Sequence, residues 1–449
     1  MENLSGGAEV SRSAAILENF RTRYDKSSDL TLRPGYRALL AEFGDPQNRI
    51  PPVFHVAGTN GKGSTCAFLR AMLEAAGYRV HVYTSPHLVR FHERIRIAGK
   101  LIADNELTEI LSDCERLAAP GKVSYFEAAT AAAFVAFARH AADFTILETG
   151  LGGRRDATNI IEKPLATLIT RLSYDHRSEL GDGIDAIARE KAGIMRPHIP
   201  CFAAPQSHAL ALVTLRAAAE KIGAPLFAGG AEWQVEEQID GLRFTDQTRR
   251  YDLPRPALLG RHQYENAGLA IAALSALPQP IARQPIAAGL TEVEWPARLQ
   301  RLSGFFALPE TEIWIDGGHN DSAGEALAVQ IARWRAEDGT KPRPLHVLLG
   351  MLTTKHPDEF VSPFKQNIAR LRTVSITGEP LSFSAASLAE EIKKLGVVNV
   401  ASAASVQIAL SDLAPPGDAG MQPRLLICGS LYLAGMILGL EAEFMNRPS

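Results

Sequence analysis

Cysteine is scarce in this chain: four residues of 449, at positions 66, 114, 201 and 428, with no paired spacing. That excludes a disulfide framework and fits buried free thiols in a reducing cytosol. Long apolar runs are also missing, and none approaches the length of a membrane span. The opening Met1-Glu-Asn-Leu-Ser-Gly-Gly7 lacks the basic and apolar regions of a signal peptide, and residues 1–13 are expected to be disordered. Charge of one sign is lacking too. A formal net charge of −3 argues against a nucleic-acid footprint. No internal repeat occurs, and the only compositional bias is in Ala-rich helices. What remains is a cytoplasmic globular protein with no nucleic-acid or membrane partner, expected to be a monomer. Its 46% hydrophobic and 22% charged residues suffice for a large core, and its length suggests two or three domains.

The most informative segment is His55-Val-Ala-Gly-Thr-Asn-Gly-Lys-Gly-Ser64. A short apolar run, Pro52–Val56, precedes it. A helical pattern from Ser64 to Ala76 follows, with Phe68, Leu69, Met72 and Leu73 on one face and Gly77 as a stop. Strand, glycine loop and helix together aim backbone N–H groups at one point, at the positive end of a helix dipole. Lys62 adds a mobile cation, and a hydroxyl from Thr59, Ser64 or Thr65 can reach phosphate or metal. This arrangement suits a nucleoside triphosphate. The match to G-x-x-x-x-G-K-[ST] is imperfect, since Val56 replaces the first glycine and Gly63 follows the lysine.

Strand-like and helix-like segments alternate along most of the chain, which predicts α/β domains with mainly parallel sheets. Strands are expected at Val53–Val56, Val80–Thr84, Phe144–Thr149, Ala166–Thr170 and Pro200–Ala203, with an Ala-rich helix over Ala128–Ala142. Phe227 to Leu253 reads as a small antiparallel insert of structural character, followed by a helix from Glu265 to Leu277. The proline-rich stretch Pro278–Pro285 and Trp295–Leu299 lead to a domain boundary, placed at 299/300. The second set is expected as strand Glu312–Asp316, helix Ser322–Arg335, strand Leu345–Leu349, helix Asp358–Leu371, strand Thr373–Thr377, helix Ala386–Leu395, strands Val398–Ala401 and Leu425–Cys428, and helix Leu431–Glu443.

Several strand ends carry groups of chemical interest. Ligands gather at the carboxyl ends of strands in open parallel sheets. Glu148 ends one strand, ahead of Thr-Gly-Leu-Gly-Gly153; it is either a Mg²⁺ ligand or a solvated strand-end charge. Ser85 and His176 end two more, and a lone histidine is more often a structural hydrogen-bonder. Asp316 and His319 sit after a strand in the second half, and Ser430 precedes a helix whose N-terminus could receive a carboxylate. Lys191, in Arg189-Glu-Lys-Ala-Gly193, reads on charge alone as a solvated residue. Asn266 carries both a donor and an acceptor, and Arg298 a forked cation, each a weak signal alone.

Gly58-Thr-Asn-Gly-Lys-Gly-Ser64 and Tyr83-Thr-Ser-Pro-His-Leu-Val-Arg-Phe-His-Glu-Arg-Ile95 resemble the folylpolyglutamate synthase and dihydrofolate synthase family. That family belongs to the Mur ligase superfamily of ATP-dependent amide-bond-forming enzymes. Six or more motifs occur in family order between Arg33 and Ala434. The resemblance implies an ATP-binding domain of the P-loop Mur ligase type over residues 1–299 and a smaller Rossmann-like C-terminal domain over 300–449. It implies nucleotide contacts from Thr59, Asn60, Gly61, Lys62, Gly63, Ser64, Asn266, Arg298 and Asp316. Ser85, Glu148 and His176 become metal ligands, and a carbamylated Lys191 supports a second Mg²⁺. Arg94, His319 and Ser430 line the L-glutamate pocket. The bifunctional members place a segment like Ser124-Tyr-Phe-Glu127 against a pterin, with Arg155, Asp156 and Ala157 as the other half of that pocket. Phe126 would stack on the ring and Asp156 accept its N–H groups.

The implied reaction adds L-glutamate to dihydropteroate and to the tail of reduced folates, with Lys62, Lys191, Asp316 and His319 as its catalytic groups. Gly318 departs mildly from the family's D-G-A-H-N. Polyglutamylation alone, another Mur-type ligase, or a non-catalytic nucleotide-binding protein are the rival readings. Met1–Pro51 leaves little room for the extra N-terminal domain that a ligase acting on nucleotide-sugar peptides would need. A non-catalytic protein would not be expected to keep Lys62, Glu148 and His176 together.

Overall fold

The computed structural model describes residues 11–23, 32–119, 121–302, 311–414 and 421–445. The expected disorder of residues 1–10 lies outside the described residues. Arg12 and Ser13, also expected to be disordered, belong to the helix Arg12–Arg23. The Ser11 and Ser13 hydroxyls tie its start to Asp104, at 2.9 and 2.7 Å.

Eight strands form the larger sheet: β1 (Val53–Ala57), β2 (Val80–Tyr83), β3 (Ile95–Ile97), β4 (Lys100–Leu101), β5 (Phe144–Glu148), β6 (Ala166–Ile169), β7 (Cys201–Ala203) and β8 (Leu226–Ala228). Their order is β4-β3-β2-β5-β1-β6-β7-β8. The six strands from β2 to β8 in that order run parallel, and β3 and β4 are antiparallel. β1, β5 and β6 are buried along their whole length, because helices cover both faces. Alternation of side chains splits the core in two. Phe54 and Val56 face Phe68, Met72 and Leu290 on one side; Val53 and Leu147 face Tyr36, Phe134 and Phe137 on the other.

Next come β9 (Trp233–Gln238), β10 (Gly241–Asp246) and β11 (Arg250–Pro254), an antiparallel three-stranded sheet. Trp233 and Phe244 seat it on the helix Arg261–Ala273, where Gly268 leaves room for the indole. The insert also reaches the second sheet's layer, since Glu237 pairs with Arg333 at 2.6 Å. That second sheet comprises β12 (Gln300–Leu302), β13 (Glu312–Ile315), β14 (Leu345–Leu349), β15 (Ile368–Thr373), β16 (Val400–Ser402) and β17 (Arg424–Cys428). Its order is β12-β13-β17-β14-β15-β16, parallel except for β12.

One expected pair of elements is wrong. The helix expected over 358–371 stops at Val361, and residues 368–373 form β15 instead of a strand at 373–377. Pro363 follows that stop and cannot supply an N–H to a continuing helix. Ile368, Leu371 and Thr373 are then buried against β14. Elsewhere helices begin earlier than apolar periodicity suggested: at Lys62, at Tyr125 and at Arg261.

The helices Lys62–Ala75 and Arg283–Glu292 cross at a glycine. A Cβ on Gly289 would lie 2.5 Å from the backbone nitrogen of Met72. Gly289→Ala is therefore expected to destabilise the protein by about 2 kcal/mol, because backbone cannot yield as a side-chain tip can. Chemical denaturation of the variant against wild type measures this.

Candidate active site

The glycine loop between β1 and the helix Lys62–Ala75 needs its glycines for contact. Gly58 has φ +150°, and a Cβ there would lie 1.8 Å from Thr170 Oγ1; Gly61 has φ +89°, and its Cβ would lie 2.2 Å from Asn266 Oδ1. Gly63 passes under the Trp295 ring, and a Cβ there would lie only 2.7 Å from the indole. The N–H groups of Thr59 and Asn60 both donate to Arg171 O at 3.1 Å, fixing the loop to the end of β6. Lys62 Nζ lies over the loop, donating to Gly58 O and Thr59 O at 3.1 and 3.2 Å. A cavity of about 220 Å³ opens here, lined by the loop from Thr59 to Ser64, by Asn266 and Arg298, and by Asp316 and His319 of the second sheet.

Ser85, Glu148 and His176 line that same cavity from the ends of β2 and β5 and the loop after β6. Glu148 is 4% exposed and accepts from Ser85 N at 3.2 Å. Burial pushes its carboxyl up, against the pull of Lys62, the Ser85 N–H and Arg298. His176 has φ +50° and begins the short helix Arg177–Leu180. Desolvation in the cleft holds its imidazolium down to about 4, with Asp175 opposing, although 44% of the side chain stays exposed. Lys191 is not solvated. It is 4% exposed on the helix Ile184–Ala192, and burial followed by the charge of Lys62 lowers its ammonium to about 7. Its neighbour Glu190 is equally buried and binds Arg154 at 3.1 Å and Arg155 at 3.4 Å. The Gly-Gly-Arg-Arg segment is thereby locked onto the Glu-Lys-Ala-Gly segment.

A second cavity of about 530 Å³ adjoins the first. Both sets of expected substrate residues line it: Ser124, Tyr125, Phe126, Glu127, Arg155, Asp156 and Ala157, and Arg94, His319 and Ser430. Their own bonds differ from the simplest expectation. Ser124 and Glu127 form a reciprocal capping box on the helix Tyr125–Arg139, with Ser124 N to Glu127 Oε2 at 2.7 Å and Glu127 N to Ser124 Oγ at 3.2 Å. Both oxygens of Asp156 are already taken by backbone N–H groups of Gly150, Leu151 and Thr158 and by the Thr158 hydroxyl. Arg155 donates to Glu190 and Glu179 O. Phe126 keeps part of its ring in the cavity, over Gly150, where a Cβ would lie 2.3 Å away. Arg94 is 7% exposed; its Nε donates to His87 Nδ1 at 2.9 Å, and it sits over the Phe91 and Tyr125 rings. Ser430 Oγ accepts from Tyr432 N and caps the last helix while facing the cavity.

The two sheets close on this site by pairing expected residues with three that the sequence did not single out, Asp175, Asn320 and Lys355. Asp175 pairs with Lys355 Nζ at 2.5 Å and His319 Nε2 at 3.6 Å. Burial alone would raise its carboxyl; His319, His176 and Lys355 hold it well below the carboxylate range. Asn60 and Asn320 exchange side-chain amide bonds at 3.0 and 3.2 Å. Asp316 accepts from Leu299 N at 2.8 Å and Gly318 N at 2.7 Å, so it pins the connection between the sheets as well as lining the cavity. Lys355 follows β14, and that strand-end position was the available clue.

Residues 56–274 match the Mur ligase middle domain family. The chain is 36% identical over 382 residues to the dihydrofolate synthase/folylpolyglutamate synthase of Bacillus subtilis, covering 80% of this chain and 84% of that one. Among solved structures, E. coli FolC in complex with DHPP and ADP superposes with a TM-score of 0.85 at 30% identity, over 97% of this chain and 98% of that one. A bifunctional folylpolyglutamate synthase/dihydrofolate synthase with Mn, AMPPNP and L-glutamate bound gives 0.82 at 29% identity, over 95% and 97%.

The buried Lys191 sets a pH signature. Its folded value near 7 lies below the model-peptide 10.5, so between those values the unfolded chain binds more protons. Stability of the unmodified protein is expected to rise with pH across that window, and to lose this contribution as pH falls to 7. Lys191→Met should flatten the rise, as read by urea unfolding at pH 7 and pH 9.

Proposed function

Because the chain belongs to the dihydrofolate synthase/folylpolyglutamate synthase family of Mur ligases, we propose that the paired cavities join L-glutamate to dihydropteroate and to the glutamate tail of reduced folates. The reaction is ATP-dependent amide-bond formation. The observation that carries the assignment is the meeting of two cavities, one over the glycine loop and one between Phe126 and Arg94, with Ser85, His176 and His319 on the walls of both. Residues 1–299 then supply the nucleotide side, and residues 300–449 most of the glutamate side.

A carboxylate does not react directly with an amine, because oxide is a poor leaving group. The substrate carboxylate therefore attacks the γ-phosphorus of ATP, giving an acyl phosphate and ADP. The free amine of L-glutamate attacks the acyl carbon, and phosphate leaves. The glycine-loop N–H groups and Lys62 hold the phosphates and offset the charge that moves to the leaving oxygen. Asn266 and Arg298 orient the nucleotide. Arg94, His319 and Ser430 hold L-glutamate, and Phe126 offers its face to the pterin. Contact between the sheets through Asp175–Lys355 and Asn60–Asn320 keeps water from the acyl phosphate.

The donor set suits a divalent cation. Among the described residues no three His, Cys, Asp or Glu side chains gather into a closed cage. Mg²⁺ does not need such a cage, since it keeps waters and takes phosphate oxygens beside one or two protein oxygens. Ser85, Glu148 and His176 would hold it, and bound there it neutralises phosphate charge. For Lys191, burial yields the free amine that CO₂ requires. The amine nitrogen adds to the carbon of CO₂ and one proton leaves, giving a carbamate with oxygens able to support a second Mg²⁺.

Purified protein with ATP, L-glutamate and either dihydropteroate or tetrahydrofolate is expected to form both glutamylated products, resolved by mass. Product from tetrahydrofolate alone would reduce the assignment to a folylpolyglutamate synthase. Lys62→Ala is expected to lose several-hundred-fold in kcat while circular dichroism stays unchanged; a near-normal rate would overturn the phosphate-loop role.

The carbamate on Lys191 is expected as a 44 Da increment in native mass spectra taken at neutral pH with bicarbonate, absent from Lys191→Met, and lost on acidification. No increment in wild type under these conditions would refute it.

A further inference from the structure

His55 stands in the middle of β1, fully buried, in a strand that is otherwise apolar. Its Nε2 lies 2.8 Å from Thr158 Oγ1, and Thr158 Oγ1 lies 2.6 Å from Asp156 Oδ1. Thr158 N donates to that same oxygen at 2.9 Å, while Gly150 N and Leu151 N donate to Asp156 Oδ2 at 2.9 and 3.0 Å. Four donors on one carboxylate leave Asp156 as the acceptor throughout. A hydroxyl has a single proton. Thr158 gives it to Asp156, so the Thr158 oxygen receives one from His55 Nε2–H. The imidazole is thereby the Nε2–H tautomer, and its Nδ1 is a bare acceptor. That atom is buried with no hydrogen-bond partner among the described residues. A buried acceptor without a donor is destabilising, and an aliphatic residue at this position would avoid the cost. Burial also holds the imidazolium down to about 3, so the ring is neutral throughout the working pH range.

The other end of this chain of bonds explains what the cost maintains. The Gly150–Leu151 backbone is the floor beneath Phe126, so close that a Cβ on Gly150 would lie 2.3 Å from the ring. Two N–H groups on Asp156 set the height of that floor, and Thr158 and His55 fix where Asp156 stands.

We propose that His55 is a positioning residue for recognition of the pterin: through Thr158 and Asp156 it holds the Gly150–Leu151 backbone against Phe126 and sets the width of the slot that the flat ring enters. The proposal rests on the assignment of the Phe126 cavity to the pterin. His55 lines neither cavity. The glycine loop three residues further on is held separately, by Arg171 O, although Gly150 also borders the cavity over that loop.

The test compares KM for dihydropteroate, KM for ATP and kcat in the full-length enzyme. Thr158→Val keeps the shape and removes the hydroxyl; it is expected to raise the dihydropteroate KM about tenfold, with the ATP KM and kcat within about twofold. Thr158→Ser restores the hydroxyl and should stay near wild type. His55→Leu should follow Thr158→Val, and His55→Gln, which keeps an N–H donor, should recover most of the loss. If His55→Leu does not fold, the Thr158 pair decides alone. An unchanged dihydropteroate KM in Thr158→Val, or equal loss for ATP and dihydropteroate, would overturn the relay. Phe126→Ala separates the two levels: with the cavity correctly assigned it raises the dihydropteroate KM whatever Thr158 does. If it does not, the cavity assignment falls and the relay falls with it.

Discussion

Asp175 is the point on which the site depends. Its carboxylate, at the end of one parallel sheet, faces Lys355 and His319 from the other, and all three are largely out of water. A buried carboxylate is costly unless its charge is met, and loss of a partner from such a pair costs about 3–5 kcal/mol. The two sheets are therefore held with their strand ends face to face. Each cavity is complete only in that arrangement, because Asp316 and His319 close the one over the glycine loop and Ser430 and His319 close the larger one.

Closure then governs the chemistry of groups that would be ordinary in water. The same desolvation that raises the Glu148 carboxyl lowers the Lys191 ammonium, so an acid and a base in one cleft move toward each other's range. Lys62 opposes the first shift, favouring the anion of Glu148, and adds to the second, disfavouring the cation of Lys191. A divalent cation at Glu148 and a carbamate at Lys191 would each relieve one of these buried electrostatic penalties. Fixed charges in a dry cleft also need no reorganisation when charge moves from ATP to the acyl phosphate.

Much of this was legible along the chain because strand ends are legible. Apolar runs ending in Gly58, Glu148, Asp316 and Gly429 each presented their polar groups at the carboxyl edge of a parallel sheet, and the expected residues of both substrate sets line one cavity. Failures came where local and tertiary signals compete. The 358–371 segment has helical periodicity up to Pro363, and after it only pairing with β14 and β16 makes residues 368–373 a strand. Ser124-Tyr-Phe-Glu127 carried a capping-box pattern that was readable, yet its glutamate and serine drew attention as pocket residues. Both descriptions hold, since the cap aims Phe126 into the cavity.

By itself the sequence determined the strand–glycine loop–helix unit, the alternation that makes two parallel-rich sheets, and the identity of the charged groups at the strand ends. These depend on spacing and residue type within a few positions of one another. The tertiary structure alone decided which distant groups share a charge or a proton: Asp175 with Lys355, Asn60 with Asn320, His55 with Thr158. It also decided that Lys191 is buried, a residue that charge alone places in solvent. Burial and pairing across some 100 to 260 positions are properties of packing, and no periodicity in the chain encodes them.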